Sequence, residues 1–380
     1  MEKPAVSVSL VNWNGGTDII RCLESLYAQT YPNIREVVIV DNGSTDGSVA
    51  VIEEKFPNVR ILKNDSNLGF CKAHNQAIRM SQGEFVLLLN FDILLEPDFL
   101  SYMVSAMTSE DRVGMVSGKL YRIVDGVKTK KLDSTGIIMR QYFPAPRGDG
   151  EEDTGQYDVD ACRYILGPCG AAPLYRRAML EDIKCQGEYF DEEFVNYVED
   201  VDLAWRAKLL GWRAVYEPSA IACHERGATR KTDQREQSNY FLKGFRNRYL
   251  SMYKNITDEE WEKNRFKIIN RELLFLFGPS CNTNTVSIRF KALREAQQLK
   301  NLLRNKRKYI QSRIKISPRE LDSFSAYEQF NISQLLWAKL KNRARHFINK
   351  ACHLIHKFKI VLMQILIRVY HWLKKSFFPL

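Results

Sequence analysis

GEFVLLLNFD, residues 83 to 92, holds an unbroken apolar run from Phe85 to Leu89 and ends on Asn90-Phe91-Asp92. A strand with one face in water alternates apolar and polar residues. A run without alternation reads as a strand covered on both faces, the pattern of a parallel sheet between helical layers. Upstream of it, VSVSLVNW (6–13), EVVIVDN (36–42) and VRILKN (59–64) also read as strands. DIIRCLESLYAQT (18–30), the segment from Asp46 to Lys55 and FCKAHNQAIRMS (70–81) have helical spacing. The order is βαβαβαβ, which predicts an α/β class with a mostly parallel, Rossmann-like sheet and right-handed crossovers.

Each strand stops at a polar cluster: Asn12-Trp13-Asn14, Asp41-Asn42-Gly43-Ser44-Thr45-Asp46, Asn64 to Gly69, and Asn90-Phe91-Asp92. In a parallel sheet the carboxyl ends of the strands share one edge, where open α/β sheets bind ligands. The pattern therefore brings Asn12, Asp41, Asn67 and Asp92 toward one site. Turns and helix caps explain any single cluster, because Asn, Asp and Gly are the residues of turns and caps. They do not explain Asp92, which follows an apolar strand with no helix to cap nearby. Neither GxxxxGK[ST] nor a GxGxxG after the first strand is present. A bound nucleotide would need another source of positive charge, and a divalent cation held by Asp92 would supply it.

The chain has 380 residues, 45% hydrophobic and 27% charged, which suits a globular protein with a sizeable core. Its net charge of +11 is unevenly placed: residues 331–380 hold ten Lys or Arg and no Asp or Glu, leaving 46 basic and 45 acidic residues elsewhere. A basic-partner argument belongs to the tail alone. Eight scattered cysteines without a CxxC pair read as reduced thiols of a cytosolic protein. The N-terminus lacks the apolar core and cleavage site of a signal peptide, and no uncharged apolar run reaches the ~18 residues of a membrane span.

Between residues 191 and 202 lie Asp191, Glu192, Glu193, Glu199, Asp200 and Asp202, directly in front of an amphipathic helical pattern. Carboxylates near a helix N-terminus are stabilised by the macrodipole, which accounts for most of them. One of them could instead be a catalytic base. Trp205, Leu209 and Trp212 follow helical spacing and read as core, as do Trp13 and Phe70.

VSLVNWNGG, VVIVDNGSTDGS, NLGFCKAHNQAI, GEFVLLLNFD and YVEDVDLAWRAKLLGWRAVYEP, followed by a histidine, resemble in order and spacing the family 2 glycosyltransferases of GT-A fold. These are inverting enzymes that use nucleotide-diphosphate sugars. DSTGIIMR, RGDGEEDTGQYD, GPCGAAPLYRRAML and RNRYLSMYKN are similar to bacterial rhamnosyltransferases of cell-surface polysaccharide synthesis. The resemblance implies transfer of a sugar, L-rhamnose from dTDP-rhamnose, to a hydroxyl of a growing, lipid-linked surface glycan. It implies Asp41 as the carboxylate that contacts the nucleotide base, with Asn12, Asn67 and Asn75 around the donor. Asp92 resembles the last residue of the metal-binding DxD motif, here Asn90-Phe91-Asp92, with Mg²⁺ or Mn²⁺ as the cation. His224 resembles a histidine that completes the metal site in some relatives; an ordinary surface histidine after a strand is the other reading. Asp200 resembles the general base, with Glu199 in a capping or supporting role. Asp200 and Asp202 project about 200° apart on a helix and cannot both face one acceptor. A second reading, a membrane-docked binding or scaffold protein with a degraded transferase site, rests on Asn90 standing where the motif has an acid.

The expected organisation is a transferase domain over 1–278, a helical extension and linker over 279–330 with a basic helix at 287–313, and a basic amphipathic tail over 331–380. In the tail Lys339, Arg343, His346, Lys350, His353 and Lys357 form a polar stripe opposite Leu336, Leu340, Phe347, Leu354 and Phe358. This predicts an interfacial helix on an anionic membrane, at the cytoplasmic face of the plasma membrane. A period of 3.5 also fits a helix bundle. The wide apolar face argues against nucleic acid.

Overall fold

The computed structural model describes residues 3–140, 142–225, 234–277 and 283–317. The basic tail lies outside them. Its first part follows the expected alternation: β1 (Val6–Asn12), α1 (Gly16–Tyr27), β2 (Ile34–Asp41), α2 (Ser48–Lys55), β3 (Arg60–Lys63), α3 (Phe70–Met80) and β4 (Phe85–Asn90). β5 (Ile93–Leu95), α4 (Phe99–Thr108), β6 (Val113–Val124), β7 (Val127–Ser134), β8 (Ile137–Arg140), β9 (Phe143–Pro146), β10 (Tyr164–Ile165), β11 (Leu174–Arg176) and α5 (Arg177–Ile183) come next. The described chain continues through α6 (Glu199–Leu209), β12 (Arg213–His224), α7 (Gln234–Asn255), α8 (Asp258–Phe277) and α9 (Thr283–Gln311).

The central sheet has the order β10-β12-β6-β11-β4-β1-β2-β3, with β5 added to β12 and β7 to β6. β1 pairs in parallel with β2 and β4, β2 with β3, and β6 with β12. β11 is antiparallel to both β4 and β6, so β6 and β12 run the same way as β4. The carboxyl ends of β1, β2, β4, β6 and β12 thus meet on one edge. The antiparallel β11 was not legible in the sequence; it is three residues long, too short to show a period.

The unbroken apolar run of β4 has a direct packing cause. Phe85, Leu87 and Leu89 point into the core built with α1 and α4, while Val86 and Leu88 point into the core built with α5, α6 and α7. The strand is buried on both faces, as its composition requires. α6 departs from expectation. It is not amphipathic in use: every residue except Asp200 is buried, including Asp202, Arg206 and Lys208. The helices after β12 cover the face that the sequence pattern reserves for water. Trp205, Leu209 and Trp212 are core. Trp13, expected in the core, is 52% exposed, because β1 ends one residue earlier and the chain turns through Asn14 at φ +52°. Phe70 is half-buried, edge-on to Phe190.

Past the end of α9 the chain returns to the domain that carries α5 and α6. Arg313 donates to the carbonyl of Asp182, and the Lys315 amide to that of Leu209. No helix among the described residues is long and apolar enough to cross a membrane.

Candidate active site

At the end of β1, Asn12 is fully buried, and its amide is consumed by the protein. Its Nδ2 donates to Asp41 Oδ1 at 2.8 Å and to Ser48 Oγ at 3.0 Å, and its Oδ1 accepts from the Gly15 amide. A Cβ on Gly15 would lie 2.7 Å from Asn12 Oδ1, so only glycine lets the chain turn this close. Asp41 is itself buried and accepts from Asn12, Ser44 Oγ and the amides of Gly43 and Ser44. Asn75 is buried on α3, holding the backbone of Phe190 from both ends of its amide and also donating to Glu192.

Asn12, Asp41 and Asn75 are thus each held by hydrogen bonds within the protein. Asn67 is exposed, with its Oδ1 on the Gly69 amide. Trp13 is exposed beside the same turns, an aromatic face that a core reading missed.

Asp92 follows β4, and His224 closes β12. The β5–β12 pairing places Ile93 opposite His224, and the Glu225 amide donates to the Asp92 carbonyl at 3.0 Å. His224 Nε2 lies 3.3 Å from Asp92 Oδ1, and His224 Nδ1 lies 2.8 Å from Asp133 Oδ2. Burial alone would depress this imidazole. The two carboxylates override it and lift it to about 9. His224 is therefore no ordinary surface residue, and Asp133, which the sequence did not single out, orients it.

The pair fits a divalent cation. Adjacent ligands at ~2.1 Å from an octahedral ion stand about 3 Å apart, close to the observed Asp92–His224 spacing. An imidazole whose second nitrogen bonds a carboxylate is the usual arrangement of a ligating histidine. Among the described residues no cluster of three or more His, Cys, Asp or Glu is arranged to hold an ion by itself. The pair would supply two ligands, and a bound diphosphate further oxygens.

Asp200 stands across a short bridge from this pair. Its Oδ2 accepts from the Gly170 amide at 2.9 Å, and the next residue, Ala171, accepts through its carbonyl from the Asn90 amide at 2.9 Å. Asp200 and the β4 end that carries Asp92 are thus tied to adjacent residues of one loop. Cys169, one residue earlier, has its thiol pushed up to about 11, first by burial and also by the charges of Asp133 and Asp200.

Glu199 and Asp200 are neighbours with unequal support. Burial raises both, and for Glu199 the charge of Asp200 adds to it. Asp200 accepts from the Gly170 and Val201 amides, whereas Glu199 Oε2 has no hydrogen-bond partner. Of two carboxylates that share a site, the better-solvated one keeps its charge and the other takes the proton. The Gly170 and Val201 amides favour the anionic form of Asp200. Glu199, the first residue of α6, accepts from its own backbone amide and that of Tyr197. Asp202 lies in the first turn of α6, as the dipole reading expects, and is in addition a buried ion-pair hub. It accepts from Arg206 Nε at 3.0 Å, Lys254 Nζ at 2.9 Å and Asn255 Nδ2 at 2.9 Å.

Val195, Tyr197 and Val198, just before Asp200, all have positive φ, at 62°, 72° and 69°. Such conformations cost non-glycine residues on the order of 1–3 kcal/mol each and persist only where surrounding contacts impose them.

A family profile described as Glycosyl transferase family 2 matches residues 7–183. An N-acetylglucosaminyl-diphospho-decaprenol L-rhamnosyltransferase of Mycobacterium tuberculosis is 29% identical over 237 residues, covering 58% of this chain and 75% of that one. An N-acetylglucosaminyltransferase of Rhizobium meliloti is 29% identical over 256 residues, covering 66% and 58%. Among solved structures, S. aureus TarS 1–349 in complex with UDP-GlcNAc superimposes with a TM-score of 0.52 at 20% identity, over 81% of this chain and 89% of that one. That likeness bears on the fold, which is of the GT-A kind. With the profile match, the relatives and this fold together, residues 7–183 form a domain of the family 2 glycosyltransferases, which move a sugar from a nucleotide donor.

Proposed function

We propose that this enzyme transfers a sugar, L-rhamnose from dTDP-rhamnose, with inversion to a hydroxyl of a bacterial cell-surface glycan carried on a lipid diphosphate. The observation that carries the reading is the pair of carboxylates on either side of the Gly170–Ala171 bridge. A single displacement needs charge neutralisation on the leaving side and a proton acceptor on the attacking side. Asp92 and His224 would hold a Mg²⁺ or Mn²⁺ ion, which acts as a Lewis acid on the departing diphosphate. Asp200 accepts the proton of the acceptor hydroxyl, held ionised by two backbone N–H groups while Glu199 takes the shared proton. The exposed ring of Trp13 stacks on the base, and Asn67 reaches the donor from the β3–α3 turn.

The sugar and the lipid carrier follow the name of the mycobacterial relative and the motifs shared with rhamnosyltransferases. A thermal-shift panel of dTDP-, UDP- and GDP-sugars tests the donor, followed by product formation with the stabilising donor and an N-acetylglucosaminyl-diphospho-lipid. Stabilisation by a UDP-sugar and none by dTDP-rhamnose would replace rhamnose.

The metal pair has its own test. Asp92→Asn and His224→Ala are each expected to weaken Mn²⁺ binding in the presence of UDP or dTDP by tenfold or more, read by calorimetric titration. Asp133→Asn should weaken it by ~10-fold, the lower end expected of an orienting partner. Unchanged titrations in the first two variants would dismiss the pair as ligands.

Residues 331–380 lie outside the described residues, and their basic stripe supports a seat on the cytoplasmic face of the plasma membrane. Each Lys or Arg near an anionic surface contributes about 1 kcal/mol. The full chain is expected to co-sediment with phosphatidylglycerol vesicles and not with phosphatidylcholine vesicles. A variant with Lys339, Arg343, Lys350, Lys357 and Arg368 changed to Gln should stay in the supernatant. A parent chain that ignores both vesicle types would leave the helix-bundle reading in place.

A further inference from the structure

The matched family region ends at residue 183, before the loop that carries Asp200. That loop is held from outside by helices later in the chain. Asn247 of α7 is fully buried, and its Nδ2 lies 2.9 Å from the Phe194 carbonyl, 2.8 Å from that of Asn196 and 2.8 Å from that of Tyr197. One amide with two hydrogens thus serves three carbonyls across the segment whose backbone is forced to positive φ. Arg246 adds contacts to the carbonyls of Glu193 and Phe194.

One helical stretch further along α7, Lys254 bonds Asp202 at 2.9 Å and also Asp191, while Asn255 bonds the other oxygen of Asp202. Lys306 of α9 bonds Asp191 and Glu188, both at 2.7 Å. The two lysines are nearly water-free. From the other side, the amides of Phe70 and Cys71 bond Asn196 Oδ1 and the Val195 carbonyl. Fixed points therefore lie on both flanks of Asp200: Asn247 on residues 194–197, and Lys254 with Asn255 on Asp202.

We propose that Asn247 and Lys254 are positioning residues for the catalytic carboxylate of Asp200, and that α7, braced by Lys306 of α9, is a working part of the transferase. The proposal rests on the assignment of Asp200 as the base. Buried, multiply bonded side chains could serve stability alone. The geometry goes further, because all three carbonyls to which Asn247 donates belong to the strained turn that enters α6, while its Oδ1 accepts from Arg246 Nε on its own helix. A relaxed turn would carry Asp200 away from the Gly170 amide, and a displacement of about 1 Å costs on the order of 100-fold in rate.

The test uses the full chain and the nucleotide sugar that stabilises it, with release of nucleoside diphosphate as readout. Asn247→Ala and Lys254→Met are expected to lower kcat by 10- to 100-fold with the donor KM within about twofold of the parent. Lys254→Arg should recover most of the loss. Circular dichroism and thermal unfolding report folding separately. Should Asn247→Ala fail to fold, Asn247→Ser, which keeps one donor, reads the same split. A folded variant with parental kcat, beside an Asp200→Asn protein that has lost more than 100-fold, would overturn the positioning role and leave the base assignment standing. Full activity in Asp200→Asn would remove the base assignment and this proposal with it.

Discussion

Asp200→Asn is expected to lower turnover by about 10²- to 10⁴-fold, the usual worth of a positioned proton acceptor. Its fold should be intact. The replacement keeps one oxygen that can accept from the Gly170 amide, and the side chain lies outside the ion-pair hub around Asp202. Donor affinity, read by the thermal shift that the nucleotide sugar produces, should change little. The same group sets the acid limb of the pH profile. Burial pushes Asp200 above its ordinary range, and the amides of Val201 and Gly170 oppose that without cancelling it. A base must be deprotonated to act, so turnover falls as pH drops, with its midpoint above the ~3.9 of a free aspartate. A profile flat down to pH 4 would be incompatible with this carboxylate as the base. Glu199→Gln offers the contrast. Removing the partner that takes the shared proton leaves Asp200 ionised, so a large part of the activity should remain.

The largest effect on stability is expected from Asp202→Ala. This carboxylate has no exposed surface and accepts from Arg206, Lys254 and Asn255. Removing one member of a buried pair leaves the other charge without compensation, at a cost of about 3–5 kcal/mol. For a chain of this size that is on the order of a 10 °C fall in the unfolding midpoint. Asp202→Asn keeps the shape and loses only the charge, so its cost should be smaller. Denaturant unfolding of the two variants against the parent gives both numbers, and a loss below 1 kcal/mol for Asp202→Ala would show that water reaches the hub.

Asp191 adds a pH dependence of known sign. Burial would raise its carboxyl, but the ammonium groups of Lys254 and Lys306 outweigh burial and hold it well below the usual carboxylate range. A depressed group stabilises the fold above its unfolded value of about 3.9 and loses that contribution as the pH falls toward the folded value. The parent should therefore lose stability from about pH 5 downward, and Asp191→Asn should flatten that part of the curve.

The α/β class, the four parallel strands and their three helices were legible because each depends on local pattern. The β4 run is apolar without alternation, and it has a core on each face. The helices at 18–30 and 70–81 keep a 3.6-residue period and end within a few residues of the predicted limits. The polar strand ends were also legible as a group, since a parallel sheet must bring carboxyl ends to one edge. Their individual roles were not. Asn12 and Asn75 have the residue type of ligand contacts, and in the fold both also bond turn and backbone groups. Only neighbours 29 to 117 positions away reveal this. Trp13 was misplaced in the other direction, because apolar composition says nothing about where a strand stops.

The sequence by itself determined the first four parallel strands and the gathering of their polar ends, Asp92 among them, on one edge, while Asp200 came from the family resemblance. The strands and their shared edge follow from periodicity and from the rule that parallel strands end together, and both act over a few residues or one crossover. The tertiary structure alone decided which donors face each acid, what orients His224, and what holds the turn before Asp200. Asp133 lies 91 positions from His224, Gly170 lies 30 from Asp200, and Lys306 lies 115 from Asp191. A carboxylate's charge state depends on which donors and charges surround it in space, and no spacing along the chain encodes that.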